Sequence, residues 1–69
     1  MNDEVIVKQV EFGKLNMGAK FFLSRPSDNR AEFTKIQSRK DERGAWSNAK
    51  NIYGLTTFIQ YDKRIWIKS

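Results

Sequence analysis

The chain has 69 residues, enough for one small domain with a modest core. It contains no Cys and no His, which removes disulfides, thiolate and imidazole metal ligands, and Ser-His-Asp, Cys-His and zinc-hydrolase chemistry; an enzyme would have to run on Asp, Glu, Lys or Tyr. Thirteen Lys and Arg against eight Asp and Glu leave a formal net charge of +5, so polyanions, whether nucleic acid or an acidic protein surface, are the first partners to consider. The alternative is that these cations keep a small β protein soluble and guard its sheet edges.

No stretch approaches the ~18 consecutive apolar residues of a membrane span. Residues 1–12 carry Asp3 and Glu4 and no long apolar run, so they do not read as a secretory signal. With no Cys, a reducing compartment is expected, and the cytoplasm is the default. Neither a metal nor a cofactor is expected.

Residues 5–12 are rich in β-branched side chains and read as a first strand, with Ile6, Val10 and Phe12 on one face. Residues 13–18 hold two glycines and an Asn, a turn-rich link in which Leu15 and Met17 are placed to cap the core; one helical turn is the alternative. Residues 19–23 form a short apolar strand. Residues 24–30 contain nearly every turn-forming type and the only Pro, and Arg25, preceding Pro26, is biased to extended geometry. In the next strand, residues 31–38, Phe33 and Ile36 are three apart, which requires either a bulge between them or one side chain facing out.

Residues 39–44 form a charged loop of mixed sign. Residues 45–53 alternate, with Trp46, Asn48, Lys50 and Ile52 on one face. Gly54 supplies a turn. Residues 55–59 and 65–67 are further strands, separated by a turn at 61–64. Asn48 and Asn51 fall mid-strand, where Asn is depleted. They either bond to a neighbouring loop, mark a bulge, or point into a recognition face. No internal repeat is visible. Five or six short strands at a spacing of about 8–12 residues predict an all-β domain covering 1–69. A small SH3-like barrel is expected, with an OB-like barrel as the alternative.

The order Phe12-x-x-Leu15-x-x-Gly18-x-x-Phe21, then Phe33-Thr34-Lys35-Ile36, Asn48-Ala49, Gly54, Phe58 and Asp62 resembles a group of small phage and prophage proteins to which no activity attaches. The resemblance covers residues 12–67. It implies a small β-barrel of phage type and nothing about catalysis. The charged loop at 39–44 is longer than that pattern has, so nothing is carried over around Trp46.

Cations interleaved with aromatics are the best candidate for chemistry. Arg25, Arg30, Lys35, Arg39, Lys40 and Arg43 cluster in the middle third beside Trp46, and Lys50, Lys63 and Arg64 group with Trp66. Cations that track phosphates and aromatic faces that stack bases are the means of single-strand binding; the competing reading puts both tryptophans in the core with Lys and Arg stems around them. Gly13-Lys14 is not part of a phosphate-binding loop of the GxxxxGK[ST] type. Asp28, Glu32, Asp41, Glu42 and Asp62 lie in or beside turns, where carboxylates cap backbone and balance charge. The expected function is that of a non-enzymatic interaction module, a phage-type protein binding a host protein or complex. A single-stranded nucleic-acid-binding barrel is the alternative, with Arg25, Arg30, Lys35, Arg39, Lys40, Arg43, Trp46 and Trp66 as the binding residues in either case. The expected state is a monomer or a weak homodimer.

Overall fold

Six strands and two single 3-10 turns make up the computed structural model, which describes residues 6–25 and 29–68. Val5 of the first expected strand and residues 26–28 of the expected loop lie outside the described residues. The strands are β1 (Val7–Glu11), β2 (Lys20–Phe22), β3 (Glu32–Lys40), β4 (Trp46–Asn51), β5 (Thr56–Thr57) and β6 (Arg64–Lys68). They form one antiparallel sheet in the order β1-β6-β2-β3-β4-β5. The all-β architecture expected from the spacing is therefore the one the chain adopts. β1 and β5 stand at the two ends of the order, and no pairing joins them among the described residues.

β1 stops one residue short of Phe12. There the chain tightens into a 3-10 turn (Phe12–Lys14), which the Leu15 N–H closes onto the Phe12 carbonyl at 3.1 Å. The single helical turn held as the alternative for this link is thus present, shifted to its start. The turn is seated by the chain returning from β5. Phe12 N–H donates to the Lys63 carbonyl at 2.9 Å and Gly13 N–H to the Tyr61 carbonyl at 2.8 Å. A Cβ on Gly13 would lie 3.1 Å from both Cβ and the carbonyl oxygen of Tyr61, tighter than a backbone neighbour tolerates. Glycine is needed here for close approach.

Fully buried Phe12 and Phe21 centre the core, together with Ala49, Ile59 and Ile65; Val10, Leu15, Phe33 and Ile67 pack against them. Phe12 meets Phe21 edge-on at 5.2 Å between centroids, and Phe33, the register partner of Phe21, stacks on it at 5.6 Å. Both geometries suit the quadrupoles of the rings. Phe22 alternates to the opposite face, where it lies in register with Trp66. It is buried there, with the Lys68 ammonium 4.9 Å from its ring centroid. Leu15 caps the core as expected, whereas Met17 is exposed.

Lys35 lies on the core face of β3 and is only 6% exposed. Its ammonium donates to the Leu15 carbonyl at 2.6 Å and the Phe12 carbonyl at 3.2 Å, and stands 4.8 Å from the Phe12 ring centroid. Its backbone works in the same direction: Gly18 N–H donates to the Lys35 carbonyl and Lys35 N–H to the Ala19 carbonyl. Lys35, expected on a polyanion-binding surface, is instead the clamp that fixes the β1–β2 connection to β3. The reason is the alternation itself, which puts 33 and 35 on the same face and sends Ile36 to the other.

Beyond Lys35 the β3–β4 register slips. Lys35 faces Ala49, but Arg39 faces Ser47, so residues 36–38 oppose Asn48 alone. From Phe33 to Lys35 the register is unbroken, so the other reading of that spacing holds, with Phe33 and Ile36 facing opposite ways, and the bulge lies beyond Lys35. Asn48, 1% exposed, turns its side chain away from this gap. Its Nδ2 donates to the Ile59 carbonyl and its Oδ1 accepts from the Ile59 N–H, each at 2.8 Å. The amide acts as one more rung of sheet for the segment after β5. Residues 39–40 belong to β3 rather than to a loop, and the strand expected at 55–59 is ordered as strand only at Thr56–Thr57.

Replacing Lys35 by Met keeps the volume but removes both charged hydrogen bonds, stripping the Leu15 carbonyl of the ammonium and leaving the Phe12 carbonyl with only the Leu15 N–H. Hydrogen bonds from charged donors contribute about 1.5–3 kcal/mol each, and a domain this small holds only roughly 3–5 kcal/mol in all. Lys35→Met is therefore expected to lower the urea midpoint to near zero; a midpoint within about 0.5 M of the parent would refute the clamp. Asn48→Leu, which strands both backbone groups of Ile59, is expected to cost about 2 kcal/mol in the same titration.

Candidate interaction surface

Two turns of the hairpins β3–β4 and β4–β5 are built alike. In the first, Asp41 Oδ1 accepts from the N–H groups of Arg43 and Ala45 at 2.8 and 2.9 Å, Asp41 N–H donates to the Ala45 carbonyl, and Gly44 N–H to the Asp41 carbonyl. In the second, Asn51 Oδ1 accepts from Tyr53 and Leu55 at 2.9 and 3.0 Å, Asn51 N–H donates to the Leu55 carbonyl, and Gly54 N–H to the Asn51 carbonyl. Gly44 and Gly54 sit at φ +85° and +84°, the left-handed region that closes a type I turn with a glycine bulge. The pattern is Asp/Asn-x-x-Gly-x in both. Asn51 is thus a turn former at the end of β4, which accounts for its place in a strand-like sequence.

The two tips differ in what they show to solvent. The first presents Glu42 and Arg43. The second presents Ile52, Tyr53 and Leu55, which are 50, 70 and 68% exposed. Identical backbone chemistry shows that the turn itself does not require apolar residues there. Single exposed apolar side chains are ordinary on a protein surface, but three within four residues on a tied-down turn form a knob. Phe58, also exposed, continues it along the chain and meets Tyr61 edge-on at 6.4 Å.

Beside the knob runs an open groove of about 630 Å³ lined by Ile36, Gln37, Ser38, Arg39, Lys50, Gly54 and Thr56. The slipped register of β3 shapes one wall. Lys50 and Thr56, register partners on β4 and β5, form the other. The lining contains two cations and no carboxylate. Neither Arg39 nor Lys50 is paired with a carboxylate among the described residues.

The eight residues expected to bind are not brought to one place. Arg39 and Lys40 are exposed on β3, Arg43 is in the first turn, and Trp46 (55% exposed) is the register partner of Lys40, so these four share the β3–β4 hairpin end. Arg25 lies elsewhere, with its guanidinium 5.9 Å from the ring centroid of half-buried Trp66. Trp66, Phe22 and Glu32 align across β6, β2 and β3. Lys40 is eight residues farther along β3, about 26 Å at ~3.3 Å per residue. Arg30 is exposed in the second 3-10 turn (Asn29–Ala31). Lys35 is withdrawn from the set, since its ammonium is committed to the core. The tryptophans divide accordingly: Trp46 is outside, and Trp66 covers Phe22 on the face opposite the core.

Lys50, Thr56 and the knob were not among the expected binding residues. The signal that marks the knob is in the sequence: Asp41-Glu42-Arg43-Gly44-Ala45 and Asn51-Ile52-Tyr53-Gly54-Leu55 are one motif with opposite tip polarity. Among the described residues, no group of three acidic, Cys or His side chains is arranged to hold a metal ion. None of the family models, curated proteins or solved structures compared with the chain matches it.

Trp46→Phe is expected to leave the urea stability within about 0.5 kcal/mol of the parent and to abolish the acrylamide-quenchable part of the fluorescence. Trp66→Ala is expected to cost at least about 1.5 kcal/mol through uncovering of Phe22 and loss of the Arg25 contact. Equal costs for both would refute the assignment of one tryptophan outside and one to packing.

Proposed function

We propose that the protein is a non-enzymatic interaction module that docks on a partner protein through the apolar turn Asn51–Leu55. The observation that carries this reading is the contrast between two turns of the same construction, only one of which exposes apolar side chains. Burial of Tyr53 and Leu55 in a partner gains about 1.5–3 kcal/mol for each side chain, and Tyr is among the residues that dominate interface energetics. The turn is held by four hydrogen bonds to Asn51, so little ordering cost falls on binding. The chain's lack of His and Cys supports a role without catalysis. Asp41, one of the few carboxylates near the surface described, is occupied by the backbone of its own turn. The phage-type sequence pattern adds a host protein, met in the cytoplasm, as the proposed partner.

Exposed Trp46 beside Lys40, Arg39 and Arg43 favours a second reading, single-stranded nucleic acid on the β3–β4 hairpin. That reading requires affinity for an oligothymidylate that falls with salt by a log-log slope of about −0.7 per phosphate contacted.

The module reading is tested by affinity capture from a lysate of the cells that carry the gene, with the parent chain, a Tyr53→Ser/Leu55→Ser variant, and a Glu42→Ser/Arg43→Ser variant of the other turn. A stoichiometric partner retained by the parent and the second variant but lost by the first is expected. No stoichiometric partner, or one retained equally by all three, overturns it. Gly54→Ala, strained by its φ alone because the space around Gly54 is open, is expected to cost about 1 kcal/mol of stability and weaken capture in step.

A further inference from the structure

We infer that the segment the knob docks against is acidic and extended, and that its carboxylates lie in the groove between β3 and β4–β5. This inference rests on the proposed role of the turn Asn51–Leu55 and names the chemistry of what it binds. Three observations carry it. First, knob and groove are one surface, because Gly54 belongs to the turn and also lines the groove. Gly54 stands between Tyr53 and Leu55 in the chain, so a polypeptide that buries either side chain lies next to the groove. Second, among the described residues Arg39 and Lys50 are the only charged ones lining the groove, and neither meets a carboxylate there. Two other surface cations do find carboxylates: Lys14 lies 3.5 Å from Glu11 and Lys20 4.0 Å from Glu32. Third, the remaining lining offers neutral hydrogen-bonding groups, Gln37, Ser38 and Thr56, beside the apolar side chain of Ile36. This mixture suits alternating acidic and apolar residues of an extended chain, with the Arg39 fork free to take a carboxylate by two hydrogen bonds.

The same cations could meet phosphates, and the apolar residues decide between the two polyanions. Bases stack on aromatic faces. Ile52 and Leu55 present none, and they gain free energy only by burial against other apolar groups. Nucleic acid would leave both in water beside its phosphates, whereas an acidic polypeptide with an apolar anchor satisfies the knob and the groove together.

The test is selection of a random dodecapeptide library on the immobilised full chain, followed by titration of the winning peptides. The same titrations use Arg39→Gln/Lys50→Gln and Tyr53→Ser/Leu55→Ser variants, whose folding circular dichroism checks. Expected are peptides that combine two or more Asp or Glu with a large apolar residue and shift the amide resonances of Arg39, Lys50 and Gly54. Their affinity should fall roughly tenfold or more in each variant and should weaken as salt screens the charges. Enriched peptides without acidic excess, still lost in the Tyr53→Ser/Leu55→Ser variant, overturn the acidic partner and leave the docking role of the turn standing. No enrichment overturns the inference, and so does tighter binding of a twelve-nucleotide oligothymidylate that shifts the same resonances. Peptides indifferent to both variants overturn it together with the module reading.

Discussion

A buried lysine holds this domain together. An ammonium taken from water demands replacement of its hydration shell, and Lys35 obtains it from two backbone carbonyls and the face of Phe12. Those carbonyls, at Phe12 and Leu15, bracket the 3-10 turn, so the charge is satisfied only when the turn is formed and seated. The backbone of the same residue pairs with Gly18 and Ala19 on one side and lies in register with Ala49 on the other. The consequence spreads outward. Phe12 is fixed at the centre of the core, Gly13 is pressed onto Tyr61, and the chain between β5 and β6 is thereby placed. Tyr61 in turn reaches back to Ser38, its hydroxyl 3.0 Å from Oγ, beyond the bulge of β3.

Side-chain amides and carboxylates stand in for backbone at three points where the sheet alone would fail. Asn48 supplies a rung to Ile59 where β3 has slipped out of register. Asp41 and Asn51 each tie two N–H groups of a tight turn. In Asn48 both polar atoms of the side chain, and in Asp41 and Asn51 the Oδ1 atom, are committed to the chain's own backbone. The second turn so held exposes Ile52, Tyr53 and Leu55, with Arg39 and Lys50 lining the groove beside it.

Much of the fold was legible in the sequence, and the binding surface less so. β-branched and aromatic runs separated by turn residues marked an all-β chain and positioned β1, β2, β4 and β6 to within a few residues. Gly54 and the structural role of Asn48 were readable because each residue type has few ways to sit in a strand. Lys35 was not, because a lysine among other cations carries no mark of burial. Arg39 lies on the same face of β3 by register and is nevertheless exposed. Thr56–Thr57 fell short of the expected longer strand because Ile59 pairs with the Asn48 side chain instead of with β4 backbone. Unlike tip residues interrupt the Asp/Asn-x-x-Gly-x frame that the two turns share, and so hide the repeat.

The position of β6 sets the order in which the sheet can be completed. The pairs β2–β3, β3–β4 and β4–β5 are each joined by a short excursion of chain, but β6 pairs with β2 across the long stretch from Phe22 to Trp66, and among the described residues β1 has β6 as its only partner, with Val7 opposite Lys68. Until Arg64–Lys68 has left the ribosome, β1 has nothing to pair with, and β2 lacks the partner that covers Phe22. The hairpins β2–β3 and β3–β4–β5 close local loops and can form early, whereas the β1–β6–β2 half waits on the longest loop closure in the chain. For this protein, emergence of the sixth strand is the event that converts a hydrophobic half-sheet with two open edges into a domain.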